Sequence, residues 1–148
     1  MAEPKPNWHI GVQLAQLGRR WRRVLDEELS GYGLTEATWR PLFHLGRLGD
    51  GIRQTELAEA LGIQGPSLVR LLDNLEREGL IARREDRGDR RAKSLTMTEA
   101  GRRIYQQVRA VTERVADRLL ADAPAEDLAA VERVFARLDA ALDEDPAP

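Results

Sequence analysis

Ile10, Leu14, Leu17, Trp21, Val24, Leu25 and Leu29 recur at steps of three and four, which predicts one apolar stripe along a first, long helix. Gly31 and Gly33 end it. In "LTEATWRPLFHLGRLGDG" Thr35 stands where a helix cap is wanted, Trp39, Leu42, Phe43, Leu45 and Leu48 form the apolar face, and Gly49 and Gly51 supply the stop. Pro41 lies more than a turn inside that second helix, where a missing backbone donor predicts a kink or a loosened start. The stretch "QTELAEALGIQGPSLVRLLDNLEREGLI" predicts two helices joined by a very short turn. Ala58 is small enough for a second helix to approach, Gly62 suits a left-handed turn, and Gly65-Pro66 suits a helix start with proline in first position. In the second of these helices Val69, Leu72 and Leu75 are the expected inward row, with Ser67, Arg70, Asn74 and Arg77 on the opposite face.

"LIARRE" and "AKSLTMT" then alternate as strands do, and "DRGD" between them carries turn residues. A hairpin directly after a helix-turn-helix is a wing. Beyond it Thr98 can cap a helix beginning at Glu99 with its stripe at Ile104, Val108, Val111, Val115 and Leu119. After Pro124 a last helix carries Leu128, Val131, Val134, Phe135, Leu138 and Leu142, and "DEDPAP" ends it. The expected fold class is mainly α with a small β-hairpin. Within one 148-residue chain this gives a winged helix-turn-helix over 35–98, with helical regions 8–34 and 99–143 for dimerisation. The outer stripes are too extensive for so small a domain to cover, so they are expected to meet the same elements of a second copy across a twofold axis.

Charge sharpens the picture. The chain carries a formal net charge of -2, yet Arg83, Arg84, Arg87, Arg90, Arg91 and Lys93 stand against Glu85, Asp86 and Asp89, a local excess of three cations. From 122 to 148 eight acids face Arg133 and Arg137, a local -6. Cations grouped on a projecting hairpin can reach a nucleic-acid backbone or enter a minor groove. Asp89 is expected to orient Arg91 across the hairpin, leaving Arg90 to reach outward.

Composition closes other routes. With no cysteine, and only His9 and His44, disulfides, thiolate sites and multi-histidine metal sites are excluded. No glycine-rich phosphate loop or serine elbow is present and the carboxylates are scattered, so neither an enzyme nor a cofactor is expected. No apolar run approaches the roughly 20 residues of a membrane helix, and "MAEPKPNW" lacks a signal's apolar stretch, which makes the cytoplasm the expected location.

"GIQGPSLVRLLDNLEREGLI" and "DRRAKSLTMTEAG", with "LAQLGRRWRRVLDEEL" and "GLTEATWRPLFHL", resemble the recognition helix, wing and first two helices of winged-helix transcription regulators of the MarR family, SlyA-like branch. One departure is that the family often has an arginine where Gly88 stands. The resemblance implies that Pro66, Ser67 and Arg70 stand at the base-reading face, with Arg70 on a guanine edge. Arg90 would be the minor-groove finger, Asp89 and Arg91 the brace of the wing, and Thr55, Gln64 and Lys93 phosphate contacts. It also implies a small aromatic carboxylate or phenolic effector, for which Arg20, Trp21, Trp39, Phe43 and His44 offer an aromatic wall beside a cation. A homodimer fits an inverted repeat in double-stranded DNA with half-sites about 10–10.5 base pairs apart. Repression or anti-silencing would follow, with a protein-interaction module lacking specific DNA binding as the alternative. Clustered wing arginine together with an outward Arg70 favours the duplex reader.

Overall fold

The structure is a computed structural model that describes residues 6–145 apart from Arg87; the side chains of Asp86 and of 89–92 also lie outside it. The chain forms two compact units, which divide between Val115 and Ala116. The elements are α1 (Trp8–Ser30), α2 (Glu36–Leu48), β1 (Ile52–Arg53), α3 (Gln54–Leu61), α4 (Pro66–Arg77), β2 (Ile81–Asp86), β3 (Asp89–Met97), α5 (Glu99–Leu119) and α6 (Ala125–Glu144). Among the described residues, six helices and one antiparallel sheet of order β1-β3-β2 give the mainly helical, winged architecture the periodicities predict. The short β1 has no sequence signature, because two residues cannot display alternation. Its pairing of Ile52 with Leu95 and Arg53 with Ser94 makes the wing a three-stranded sheet.

In the first unit two apolar clusters share α2. Leu42 and Leu45 join Leu57, Leu61, Leu68, Leu72, Leu75, Leu80, Ile81, Leu95 and Met97 beneath the sheet. Trp39 instead joins Leu25, Leu29 and Leu34 and the α5 row Val108, Val111 and Val115, with Trp21 and Phe43 packed alongside. Ile104 touches both. A helix with apolar residues on two sides is thereby buried from both, and Pro41, itself buried, stays inside a continuous helix. Proline offers no N–H to the Ala37 carbonyl, but no break follows.

The turns form as expected. Gly62 takes φ +67 at the end of α3 and Ile63 N–H donates to the Ala58 carbonyl at 3.1 Å. Gly65 takes φ +57 ahead of Pro66. Thr98 accepts from Gly101 N–H at 3.1 Å and donates to the Gly79 carbonyl at 2.6 Å, so it caps α5 and ties it to the root of β2. Thr35 occupies its capping position in an extended conformation without a side-chain cap bond, its hydroxyl lying 3.3 Å from that of Thr38.

One expected core position is overturned. Leu68, not Val69, lies inside with Leu72 and Leu75, and Val69 is 51% exposed. At about 100° per residue, steps of four and three from 68 return to within about 20° of the starting direction, whereas two steps of three from 69 drift by about 120°.

Apolar residues stay uncovered in both units. Trp8, Ile10, Leu14 and Leu17 on α1 are exposed. In the second unit α6 follows the extended Pro124 and buries none of its residues, with Val131, Val134, Phe135 and Leu142 exposed.

Candidate nucleic-acid interface

The helix-turn-helix presents α4 with three leucines inward and a polar face outward. Pro66, Ser67, Val69, Arg70, Asn74 and Arg77 are all exposed, and all but Ser67 border one shallow groove that also takes in Asp73. Arg77 Nη1 donates to Asn74 Oδ1 at 3.2 Å, which sets the amide's orientation on that face. No side chain caps the start of α4, since Gly65 has none to offer. Thr55 is exposed in the first turn of α3, and Gln64 is exposed in the turn before α4.

In the wing, β2 and β3 pair as Ile81 with Met97, Ala82 with Thr96, Arg83 with Leu95, Arg84 with Ser94 and Glu85 with Lys93. The pairing then jumps to Asp86 with Asp89, so β3 advances four residues while β2 advances one. Residues directly opposite each other share a face. Ile81 and Met97 are buried, as is Leu95, so Arg83 points to the core side and Arg84 to the other. Lys93 is exposed. The side chains of Asp89, Arg90 and Arg91, the expected brace and finger, lie outside the described residues.

Arg83 turns back onto α4. Its Nη2 lies 2.6 Å from Asp73 Oδ1 and 3.1 Å from Glu76 Oε1, and its Nε donates to Glu76 Oε2 at 3.3 Å. The Arg83 backbone N–H also donates to Glu76 Oε2, at 3.2 Å. Hydrogen bonding from Arg83 holds the Glu76 carboxyl below its usual range, and the bonds to Glu76 and then Asp73 raise the guanidinium. One of the six cations counted in the basic segment is therefore engaged internally. The sequence alone leaves the direction of Arg83 open; the signals consistent with this engagement are the shared parity of Ile81 and Arg83 and two acids three residues apart on α4.

The five residues expected to meet an effector separate into different settings. Trp39 is 2% exposed and its Nε1 donates to Asp26 Oδ1 at 3.0 Å, so the indole is satisfied within the core. Trp21 and Phe43 are half-buried against the same cluster. Arg20 is exposed and borders a groove with Gln16, Arg19, Arg22 and Arg23. His44 meets Phe43 edge-on, and its buried Nδ1 has no hydrogen-bond partner among the described residues. Burial first, then Arg47 and Arg40, lowers its pKa to about 4. The imidazole is therefore neutral near pH 7.

The arrangement defines a class, a winged helix-turn-helix with a polar recognition face. The MarR family model matches residues 32–92, spanning the helix-turn-helix and most of the wing. Over the whole fold, the crystal structure of transcriptional regulator PA3341 is 38% identical, with a TM-score of 0.83, covering 92% of this chain and 99% of that one. The chain belongs to the MarR family of winged-helix transcription regulators. A mutant MarR from E. coli complexed with operator DNA shares the fold at 24% identity and TM-score 0.71, covering 87% of this chain and 92% of that one. The S. aureus MepR-DNA complex does so at 23% and 0.71, covering 88% and 94%. Among the described residues, no helix is long and apolar enough to cross a membrane.

Proposed function

We propose that this chain is a sequence-specific double-stranded-DNA-binding regulator of the SlyA-like branch, acting as a cytoplasmic homodimer on inverted repeats as a repressor or anti-silencer. The observation that carries the reading is the outward face of α4, where Arg70, Asn74 and Arg77 are exposed along one groove with Val69. A helix enters the major groove, and this face matches what the groove displays. A bidentate arginine reads guanine, an amide reads adenine, and the only apolar group on offer is the thymine methyl. Pro66 and Ser67 open the helix and, with Arg70, make up the base-reading face. Thr55, Gln64 and Lys93 are exposed for positioning contacts with the backbone. Arg90 as minor-groove finger, with Asp89 and Arg91 as its brace, completes the reading by resemblance. The MarR and MepR structures, both DNA complexes, support it through the shared fold.

In the same reading residues 35–98 bind DNA while 8–34 and 99–143 dimerise. A small aromatic carboxylate or phenol releases the DNA by binding near Arg20, Trp21, Trp39, Phe43 and His44. Such a ligand acts only through its differential affinity for a conformer whose recognition helices no longer match the half-site spacing.

Selection from a pool of random duplexes tests the reading. One inverted repeat is enriched, and Arg90→Ala makes the salt dependence of binding shallower by about one unit. An absence of any enriched motif, with Arg90→Ala without effect, replaces this reading by a protein-interaction module.

A further inference from the structure

Taken alone, α4 has no net charge: Arg70 and Arg77 are matched by Asp73 and Glu76. Asp73 borders the same groove as Arg70, Asn74 and Arg77. An uncompensated carboxylate at that rim would lie well within the roughly 8–10 Å screening length of any phosphate docked there. Arg83 supplies the compensation from the neighbouring strand. Its guanidinium spans both acids, and Glu76 Oε2 also takes the Arg83 backbone N–H, so one carboxylate grips β2 by side chain and main chain together. The side chain of Arg83 is only 25% exposed, with its fork turned towards α4. A fork committed to two carboxylates has little left for a phosphate. The root of the wing is held a second time where Thr98, just after β3, donates to the carbonyl of Gly79, just before β2.

Resting on the DNA-binding reading above, we propose that Arg83 is a positioning residue of the DNA-binding face. Acting through Asp73 and Glu76, it masks their charge and fixes the wing against the recognition helix without itself touching the nucleic acid. The basic segment thus has two functions: Arg83, turned onto α4, builds the interface, and the exposed Arg84 and Lys93 are left for the duplex.

The test is a double-mutant cycle on the full-length protein, using the duplex enriched from the random pool. Arg83→Met in the native background weakens binding by about tenfold or more. In the Asp73→Asn/Glu76→Gln background the same substitution costs no more than about twofold, because the groups through which Arg83 acts are gone. The coupling shrinks as salt is raised from about 50 to about 200 mM, which loss of a purely structural contact would not show. A melting curve checks that each variant is folded, and Arg83→Lys, which keeps the charge but loses the fork, is carried through the same cycle. An equal loss in both backgrounds makes Arg83 a direct phosphate contact and overturns the proposal, as does unaltered affinity of Arg83→Met. Wild-type protein that enriches no motif overturns the DNA-binding reading itself, a separable result.

Discussion

Arg83 and Arg84 are adjacent, chemically identical and opposite in direction, one engaged with α4 and the other exposed. The difference is a single strand position. His44 shows the same dependence on surroundings, since its Nδ1 is shut away from water beside two arginines. The folded protein binds its proton with a pKa of about 4, against 6.5 for the free side chain, so between these values the unfolded chain takes up a proton that the folded one refuses. This contribution to stability is fully present above pH 6.5, and is lost progressively as pH falls towards 4. The expected outcome is that His44→Asn loses less melting temperature than wild type on acidification from about pH 7 to about pH 4.5. Identical losses would show that His44 titrates as a solvated side chain.

Among the elements, α2 and α5 were the most legible, because a long stripe at helical spacing arises from little besides an amphipathic helix. Val108, Val111 and Val115 are buried as their spacing predicts, while Leu119 at the end of the row is 47% exposed. How these helices meet their neighbours was not legible. A Cβ at Gly46 would enter the Tyr105 ring, so α2 and α5 approach through a side chain's absence. The same holds at Gly101, where a Cβ would collide with the Leu80 carbonyl oxygen at the root of the wing. Backbone cannot swing aside as a flexible side chain can, so Gly101→Ala is expected to lower the unfolding free energy by about 1–3 kcal/mol, measured by urea denaturation. A change within about 0.5 kcal/mol would mean that α5 shifts freely against β2. Nothing in the sequence distinguishes Gly46 and Gly101 from the glycines that end helices.

For the whole molecule, the uncovered apolar positions matter most. Ile10, Leu14 and Leu17 follow one helical stripe and are 49%, 36% and 56% exposed. An exposed stripe of this kind calls for a partner surface, and a second copy supplies one by symmetry. Leu17→Lys should therefore shift the protein to monomer in sedimentation equilibrium and greatly weaken binding to an inverted repeat, while a single half-site is bound as before. A wild-type protein that sediments as a monomer would remove the dimer from the proposed function. The charge map belongs to this scale too: the acidic 122–148 segment is a separate stretch from the basic hairpin, so a net charge of -2 says little about either.

The sequence by itself determined the six helices and the β2–β3 hairpin, their order, the turn at Gly62, the proline-led start of α4, the cap at Thr98 and the existence of a basic hairpin. These depend on neighbours within about a turn or two along the chain, where helical and strand periods and backbone sterics act directly. Only the tertiary structure decided the pairing of β1, the burial of Leu68 in place of Val69 and the bond from Trp39 to Asp26. It likewise decided the close approaches at Gly46 and Gly101 and the turning of Arg83 onto Asp73 and Glu76. Each depends on register or orientation between elements remote in sequence, where one residue of slip or one third of a helical turn exchanges inside for outside.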